Sequence, residues 1–296
     1  MTLPNQIWIA PDADTAPRPC DVLEPASRTL PFVFASPHSG ANYPEEFLAA
    51  SPLDSLRLRS TEDCYVDELF AAAPALGAPL LRALFPRAWL DANRGPYELD
   101  PAMFRDPLPP YVEVQSRAVA RGLGTIARIV ADGAEIYRQK LSFAEARRRV
   151  QAFYRPYHAA LERLIGETQA RFGCCVLIDC HSMPSSDIGG ESKPVDFVLG
   201  DCFGTSCDSS VTECAETFLQ GFGYAVRRNR PYAGGFTTRH YGHPKRGVHA
   251  LQIEINRALY VDEQSLQRRS GFALLQARLE GLIARLGDLP RARLAL

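Results

Sequence analysis

The sequence predicts an α/β layer architecture, in which a β-sheet is covered by helices. Short apolar runs alternate with longer segments of helical periodicity, a pattern typical of this fold class. Neither an internal repeat nor a linker rich in Gly, Ser or charged residues divides the 296 residues. A chain of this length could form one large domain or two small ones. Because no boundary is visible, we interpret residues 1–296 as a single domain.

Apolar runs bounded by turn residues predict the strands of the sheet. The first is residues 32–35, which Pro37 ends, and further runs cover residues 175–178, 196–199 and 224–226. Residues 249–256 alternate between apolar and polar side chains. Leu251, Ile253 and Ile255 should face one side of this strand, and Gln252, Glu254 and Asn256 the other.

Helical spacing predicts the elements between these strands. Residues 63–73 have the apolar spacing of a half-buried helix. Ser142 and Glu145 form a capping box that opens a helix to about residue 171, which Pro156 should kink. Ser210 and Glu213 have the same spacing at the start of a helix over residues 210–219, and a last helix covers residues 263–286.

Composition excludes several classes of function. The net charge is −1, so nothing favours binding to nucleic acids or to a membrane surface. No apolar stretch approaches the ~20 residues of a membrane span. Prolines interrupt residues 1–25, which lack the apolar core of a signal peptide, so we expect a cytoplasmic protein. The eight cysteines form no CxxC pair, and we expect free, mostly buried thiols.

Two histidines follow predicted strands in matching contexts. His38 stands in Pro-His-Ser-Gly after the first strand, and His181 stands in Asp-Cys-His-Ser after residues 175–178. Open α/β sheets place their sites where strands end. Two neutral imidazoles and one carboxylate, with a position left for water, are the usual ligands of catalytic zinc. The alternative is that each histidine only makes a structural hydrogen bond at a strand end.

Two carboxylate positions are candidates for the rest of the site. Glu62 and Asp63 lie at the start of a predicted helix, where either could simply favour the helix dipole. Periodicity alone would make Asp63 structural. Glu254 is disfavoured by β-propensity inside its strand. It would lie either on the wet face of an edge strand or beside a metal-bound water as the general base.

Arginines supply a third group of candidates, because guanidinium binds carboxylates in a planar, bidentate manner. Arg94 follows Asp91-Ala92-Asn93, and Arg227, Arg228, Arg230 and Arg239 precede Glu254. Surface salt bridging is the alternative for each, and we accept it for Arg227 and Arg230. The Gly234-Gly235 pair belongs to no phosphate-binding motif, so it should allow close approach of a ligand or act as a hinge. Ser39 and Ser182 lack the GxSxG elbow of serine hydrolases.

Eight short motifs occur in order between about residues 30 and 260. They are Pro37-His38-Ser39-Gly40 with Tyr43-Pro44, residues 63–69 (DCYVDEL), residues 91–94 (DANR) through 98–101 (ELDP), residues 179–184 (DCHSMP), residues 199–201 (LGD), residues 229–232 (NRPY), residues 234–236 (GGF) and residues 252–257 (QIEINR). Together they resemble the N-formylglutamate amidohydrolase family. That family is similar to the zinc carboxypeptidases and the succinylglutamate desuccinylases.

The resemblance implies a fold and a site. The fold would be a three-layer α/β sandwich with a mostly parallel or mixed central sheet, as in the zinc carboxypeptidases. His38, Asp63 and His181 would hold one zinc ion, and Glu254 would be the general base with Arg94 as a second catalytic residue. Asn93, Arg94, Arg239, Arg228, Asn256 and Gly235 would bind the substrate. In the carboxypeptidases the carboxylate ligand follows the first histidine by three residues, where this chain has Ala41, so Glu62 stays an alternative to Asp63.

The implied reaction is metal-assisted hydrolysis of N-formyl-L-glutamate to formate and glutamate. The substrate would be a small molecule, with neither nucleic acid nor membrane as a partner, and the oligomeric state stays open, with a monomer possible. Ala233 stands where many relatives have lysine, so the acyl group stays open too. The alternatives are a metallohydrolase for another N-acyl amino acid, a non-catalytic ligand-binding relative, and a cysteine enzyme that uses Cys180 beside His181.

Overall fold

A mixed β-sheet forms the centre of the molecule. The computed structural model describes residues 18–188 and 195–295. The strands are β1 (Cys20–Leu23), β2 (Phe32–Ser36), β3 (Leu80–Ala83), β4 (Cys175–Met183), β5 (Phe197–Gly200), β6 (Val226–Arg228) and β7 (Val248–Asn256). In this part of the chain they form one seven-stranded sheet in the order β1-β3-β2-β4-β7-β5-β6. The first 17 residues, on which the signal-peptide prediction partly depends, lie outside the described residues.

Strand directions make the sheet mixed. β3, β2, β4 and β7 are parallel to one another, and β1 is antiparallel at one edge. β5 is antiparallel to β7, and β6 is parallel to β5. The α/β sandwich with a mostly parallel or mixed sheet is therefore confirmed, while the single domain over residues 1–296 stays a prediction.

Helices cover the sheet on both sides. They are α1 (Glu45–Ala50), α2 (Ser55–Arg59), α3 (Val66–Leu69), α4 (Arg117–Ala120), α5 (Phe143–Arg149), α6 (Arg155–Phe172), α7 (Ser209–Gly221), α8 (Phe236–Tyr241) and α9 (Phe272–Gly287). No helix in the described part of the chain is long and apolar enough to cross a membrane.

Each face of the sheet packs against a different set of helices. On one face, side chains such as Phe34, Ile178 and Ile253 pack against α3, α7 and α9. On the other face, side chains such as Val33 and Leu177 pack against α6 and the loop that contains Trp89. We call these the α7/α9 face and the α6 face. All nine residues of β4 and all nine of β7 are buried, as expected for internal strands of a covered sheet.

The internal strands are longer than the sequence indicates. β4 continues to Met183, five residues beyond the predicted end, because it pairs with β7 along its whole length. Asp179 and His181 therefore lie within the strand and not in a loop after it. The alternation predicted for residues 249–256 is confirmed, but β7 is a central strand, so the wet edge considered for Glu254 does not exist.

Two predicted helices are shorter than expected, for local reasons. The helix predicted over residues 63–73 is only α3, because Tyr65 has a left-handed backbone (φ +62°) directly before it. The helix predicted over residues 263–286 begins only at Phe272. Before it, the Asp262 side chain accepts hydrogen bonds from the backbone N–H groups of Gln264 and Ser265 and holds a turn.

The long helix over residues 143–172 begins as predicted and changes its geometry near Pro156. The Ser142 hydroxyl accepts the N–H of Glu145 at 3.2 Å. A π-helical segment (Val150–Tyr154) joins α5 to α6, and Pro156 lies in the first turn of α6. The wider π turn accommodates a residue that cannot donate a backbone hydrogen bond, so the proline changes the helical geometry without ending the helix.

All eight cysteines are free thiols, as predicted, and five of them are buried. The buried ones are Cys64, Cys174, Cys175, Cys180 and Cys207. They contribute to packing as small apolar side chains.

The N-terminus of α7 gives a test of the fold. Its cap is Asp208, whose carboxylate accepts the N–H of Ser210 at 2.9 Å, and not the Ser210–Glu213 box indicated by spacing. We expect Asp208→Ala to lower the free energy of unfolding by about 1 kcal/mol in denaturant titrations. Exposed Glu213 is the control, and Glu213→Ala should change stability by no more than ~0.5 kcal/mol. Equal losses of stability in the two variants would contradict the assignment of Asp208 as the cap.

Candidate active site

His38 and His181 lie side by side although 142 intervening residues separate them. His38 follows β2 and His181 lies in β4, the parallel neighbour of β2. Their ring centroids are 4.8 Å apart and the planes are tilted by 59°. Both rings are almost fully buried, with 1% and 3% of their surface exposed. The structure therefore brings together the two histidines that the sequence proposed as ligands.

Asp63 completes the cluster. Its Oδ2 lies 3.3 Å from His38 Nδ1 and 3.0 Å from His181 Nδ1. One ligand atom from each of the three residues lies within 4.8 Å of the others, so this buried cluster could hold a metal ion. Two imidazole nitrogens and a carboxylate oxygen are a donor set that suits catalytic zinc.

The other oxygen of Asp63 is held by Arg257 and Ser182. Arg257 Nη2 donates to Asp63 Oδ1 at 3.1 Å, and the Ser182 hydroxyl donates to the same oxygen at 3.2 Å. The backbone N–H of Asp63 donates to the carbonyl of His38. These contacts leave Oδ2 facing the histidines. Arg257 is buried, and the sequence reasoning assigned it no role.

Glu62, the alternative ligand, points away from the histidines. Its Oε1 accepts the Tyr43 hydroxyl at 2.6 Å, and Arg59 Nε donates to both of its oxygens at 3.2 Å. The thiol of Cys64 donates to Oε2. The structure thus places Asp63 at the cluster and gives the Glu62 carboxylate its hydrogen-bond partners outside the cluster.

Two further aspartates lie beside the Nε2 atoms of the two imidazoles, on the side away from Asp63. Asp91 Oδ1 is 2.7 Å from His38 Nε2, and Asp179 Oδ1 is 3.0 Å from His181 Nε2. His38 Nε2 is within hydrogen-bonding geometry of Asp91, whereas His181 Nε2 is within ion-pair distance of Asp179 and lies 3.0 Å from Asn93 Nδ2. Asp179 and His181 are two residues apart on one strand and share a face, a spacing from which this pairing could have been found.

The cluster is strongly acidic for a buried site. Burial alone would raise the pKa of Asp63, but hydrogen bonds from His181 and His38 hold it well below its usual value. Burial would lower the pKa of His181, yet the carboxylates of Asp179 and Asp63 hold it well above its usual value. A pocket with such an excess of carboxylates favours cations, and this adds to the fit of the donor set to a divalent metal.

Glu254 lies next to the histidines on the same face. β7 aligns Glu254 with His181 of β4, and its side chain is 7% exposed. Gln252 Nε2 donates to Glu254 Oε1 at 2.8 Å, and Gln252 Oε1 accepts the N–H of Gly235. Burial, against the attraction of His181, raises the pKa of Glu254 to about 8. A carboxylate with such a pKa is a stronger base than an ordinary glutamate.

Gly235 is needed because Asn93 occupies the space beside it. A Cβ on Gly235 would lie 2.3 Å from Asn93 Nδ2, so no other residue fits without moving Asn93. Asn93 Oδ1 accepts the N–H of Thr237, and Asn93 Nδ2 is 3.0 Å from His181 Nε2. The close approach predicted for the glycine pair is therefore made by this chain's own Asn93.

Helix α6 and the π-helical segment before it hold the Ala92–Arg94 segment in place. The Tyr154 hydroxyl donates to the carbonyl of Arg94 at 2.8 Å, and His158 Nε2 donates to the carbonyl of Ala92 at 3.0 Å. Burial lowers the pKa of His158 to about 4, so its ring is neutral and Nδ1 accepts the Tyr241 hydroxyl at 2.7 Å. This chain of contacts joins α6, α8 and the segment that carries Asn93.

Arg94 and Arg239 lie at the periphery of the cluster. Arg94 Nε and Nη1 donate to the carbonyls of Leu123 and Asn93, and its Nη2 is 3.8 Å from Asp91. Its side chain is 20% exposed. Exposed Arg239 donates to the carbonyl of Gly234. Both guanidinium groups retain N–H donors for a substrate.

The structure does not bring Arg228 or Asn256 to the substrate position that the sequence proposed. Arg228 forms an ion pair with Glu216 of α7, on the α7/α9 face, because its neighbour on β6 takes the α6 face. The Asn256 side chain donates to the carbonyl of Val195 and accepts the N–H of Ala258, so backbone groups engage both of its ends.

Arg87 is a cation of the site that the sequence reasoning missed. Its Nε donates to Asp91 Oδ2 at 3.1 Å. Nearby Asp91, Asp63 and Glu254 raise its pKa against the effect of burial. With 27% of its side chain exposed, Arg87 lies where solvent reaches the acidic cluster. The signal available in the sequence was its position four residues before Asp91.

Cys180 is directed away from the cluster. It is fully buried in the core of the α7/α9 face, because side chains of neighbouring residues in a strand alternate. Burial raises its pKa well above the usual value of a thiol. This environment contradicts the alternative in which Cys180 is a nucleophile paired with His181.

Similarity to known proteins agrees with this geometry. The family model described as N-formylglutamate amidohydrolase matches residues 30–261, which include every residue of the cluster. The chain belongs to the N-formylglutamate amidohydrolase family. This finding confirms the resemblance read from the eight motifs.

Relatives and solved structures cover most of the chain. N-formylglutamate deformylases from Pseudomonas putida and Pseudomonas aeruginosa are 29% and 30% identical, over 79% and 83% of this chain and 83% and 87% of theirs. The crystal structure of an N-formylglutamate amidohydrolase from Ralstonia eutropha has a TM-score of 0.87 and 38% identity, covering 91% of this chain and 97% of that one. A gene product from Agrobacterium tumefaciens, at 21% identity and a TM-score of 0.61, shares the fold over 91% of this chain and 95% of its own.

Metal binding should distinguish the two neighbouring carboxylates. We expect Asp63→Asn to weaken the affinity for Zn²⁺ by more than the ~10–100-fold typical of residues that only orient a ligand. Glu62→Gln is the matched control, and it should weaken the affinity by less than ~10-fold because Glu62 contacts Tyr43 and Arg59. Competition with a chromophoric chelator measures the Zn²⁺ affinity of both variants. A larger loss of Zn²⁺ affinity in Glu62→Gln than in Asp63→Asn would make Glu62 the ligand.

Proposed function

We propose that the protein is a zinc-dependent amide hydrolase that removes the formyl group from N-formyl-L-glutamate. One observation carries this proposal: the Nδ1 atoms of His38 and His181 converge with Asp63 directly beside Glu254. A metal donor set next to a buried base suits metal-assisted hydrolysis of an unactivated amide. Relatives that cover most of the chain are named N-formylglutamate deformylases, and this supports the choice of substrate.

His38, Asp63 and His181 would hold the zinc ion. When bound, the ion supplies Lewis-acid polarisation of the substrate carbonyl and lowers the pKa of water. Asp91 would keep the His38 imidazole in the tautomer that presents Nδ1, and the charge of Asp179 would hold the His181 imidazole in place. Arg257 would prevent Asp63 from rotating, since it binds the opposite carboxylate oxygen.

Glu254 would move the proton. As water adds to the formyl carbon, Glu254 accepts a proton from that water. It then donates this proton to the amide nitrogen as the carbon–nitrogen bond breaks, giving formate and the free amine of glutamate. Gln252 fixes one oxygen of Glu254 and leaves the other for this transfer.

Arginines would bind the charged groups of the substrate. Arg94 and Arg239 retain free N–H donors beside the cluster and would bind substrate carboxylate. Arg87 would steady the negative charge that develops on the carbonyl oxygen, since its charge, after that of His181, acts on Glu254 and its side chain is partly exposed. Asn93, placed against His181 by Gly235, would be an additional hydrogen-bond donor.

A direct assay tests the activity. Purified protein loaded with zinc is incubated with N-formyl-L-glutamate, and formate and glutamate are quantified. N-acetyl and N-succinyl glutamate and N-formylaspartate are measured in parallel. A higher kcat/KM for one of these analogues would replace the proposed substrate, and hydrolysis of none of them would contradict the amide hydrolase.

Glu254→Gln should separate metal binding from catalysis. The amide keeps the size of the side chain and its contact with Gln252 but cannot accept the proton, so kcat should fall at least ~10²-fold while zinc content stays unchanged. Glu216→Gln, on the α7/α9 face, is the control and should keep full activity. Retained activity in Glu254→Gln would exclude Glu254 as the base.

Removal of the metal should abolish activity and lower stability together. We expect exhaustive chelation to eliminate formate release and added Zn²⁺ to restore it. Because the ion binds the folded chain, zinc at 100 times its dissociation constant should stabilise the protein by about 2.7 kcal/mol, seen as a higher Tm. The Tm of Asp63→Asn should not respond to zinc. Full activity in protein shown by elemental analysis to be metal-free would refute metal dependence.

A further inference from the structure

Two consecutive arginines of β6 point to opposite faces of the sheet. Arg227 aligns with Val198 of β5, and Val198 aligns with Glu254 of β7. Because aligned residues of neighbouring strands share a face, Arg227 and Glu254 both lie on the α6 face. Arg228, the next residue, takes the opposite face and pairs with Glu216. The sequence reasoning had treated Arg227 as a surface residue and Arg228 as the substrate-binding one.

The row of aligned residues that contains Arg227 begins at the cluster of His38, Asp63 and His181. Across the sheet it runs His181, Glu254, Val198 and Arg227, one residue from each of four adjacent strands. Neighbouring strands are about 4.8 Å apart, so the Cα atoms of Glu254 and Arg227 are separated by about 10 Å. Arg227 is half-buried, so part of its side chain is shielded from solvent.

Val198 lies between Glu254 and Arg227 in this row and belongs to a small apolar cluster. Met183, Val195 and Val198 are buried together, and Tyr232 packs against them. The row therefore places the proposed base, an apolar residue and a cation in order, and a guanidinium binds a carboxylate in a planar, bidentate manner. An amino acid with an acidic side chain has the complementary sequence of groups, starting from the amide at Glu254.

We propose that Arg227 binds the side-chain carboxylate of the substrate and makes the site selective for N-acyl derivatives of acidic amino acids. This inference rests on the proposed amide hydrolysis at Glu254. Arg227 also has interactions within the protein. A guanidinium has five N–H donors, so it can keep such a partner and still bind a carboxylate.

The test compares substrates that differ only in the side-chain charge. N-formyl-L-glutamate and N-formyl-L-glutamine have nearly the same shape, and formate release gives kcat/KM for each. In Arg227→Gln we expect the preference for the glutamate derivative to fall about 10- to 100-fold, as for a lost hydrogen bond between charged groups. Arg228→Gln is the matched control and should leave the preference unchanged. Arg227→Lys, which keeps the charge without the planar fork, should have an intermediate preference.

A binding measurement separates this inference from the proposed reaction. Calorimetry with L-glutamate and L-glutamine requires no turnover, and Arg227→Gln should weaken binding of L-glutamate alone. If the wild-type protein releases no formate yet shows this difference, the reaction is wrong and the carboxylate site stands. Equal losses for both substrates in Arg227→Gln, or the same change of preference in Arg228→Gln, would overturn the inference. If Arg227→Gln does not fold, a wild-type preference in Arg227→Lys would overturn it.

Discussion

A single buried carboxylate, Asp63, organises the site. Isolating this charge from water would be costly, so the fold surrounds it with compensating groups. Arg257 and Ser182 bind one of its oxygens, and both histidines meet at the other. Since Arg257 follows β7 and His38 follows β2, this carboxylate connects segments from both ends of the chain. The positions of His38, Asp63 and His181 therefore depend on the sheet order that brings those segments together.

The same sheet face serves as core and as active site. Towards the start of β4 and β7 it carries Leu177 and Ala250, which pack against α6. Two residues further along, at Asp179 and Gln252, the face becomes polar, and it stays polar through His181 and Glu254. These side chains are buried without being apolar because each has a charged or hydrogen-bonding neighbour. The apolar part of the face therefore holds the strands that position the candidate site residues on its polar part.

Several residues of the candidate site could be named from the sequence, because polar residues stand out beside or within apolar strands. His38 and His181 were found as histidines that follow predicted strands, Glu254 as a carboxylate inside one, and the α/β class from the alternation of apolar runs with helical segments. The end of β4 could not be predicted, because Asp179 and His181 look like loop residues until their partners in the neighbouring strand are known. Likewise, the short α3 depends on the left-handed backbone of Tyr65, for which the sequence gives no signal.

The remaining differences between the sequence and the structure have one physical origin, which is that adjacent residues in this chain go to different environments. Cys180 enters the α7/α9 core while His181 faces Asp63, and Arg228 pairs with Glu216 while Arg227 shares a face with Glu254. In an extended strand a shift of one residue reverses the face, so a motif locates a site only to within one position. The register of the sheet supplies the missing information. It places Arg227, and not Arg228, on the face that carries Glu254, although composition and spacing favour neither of the two.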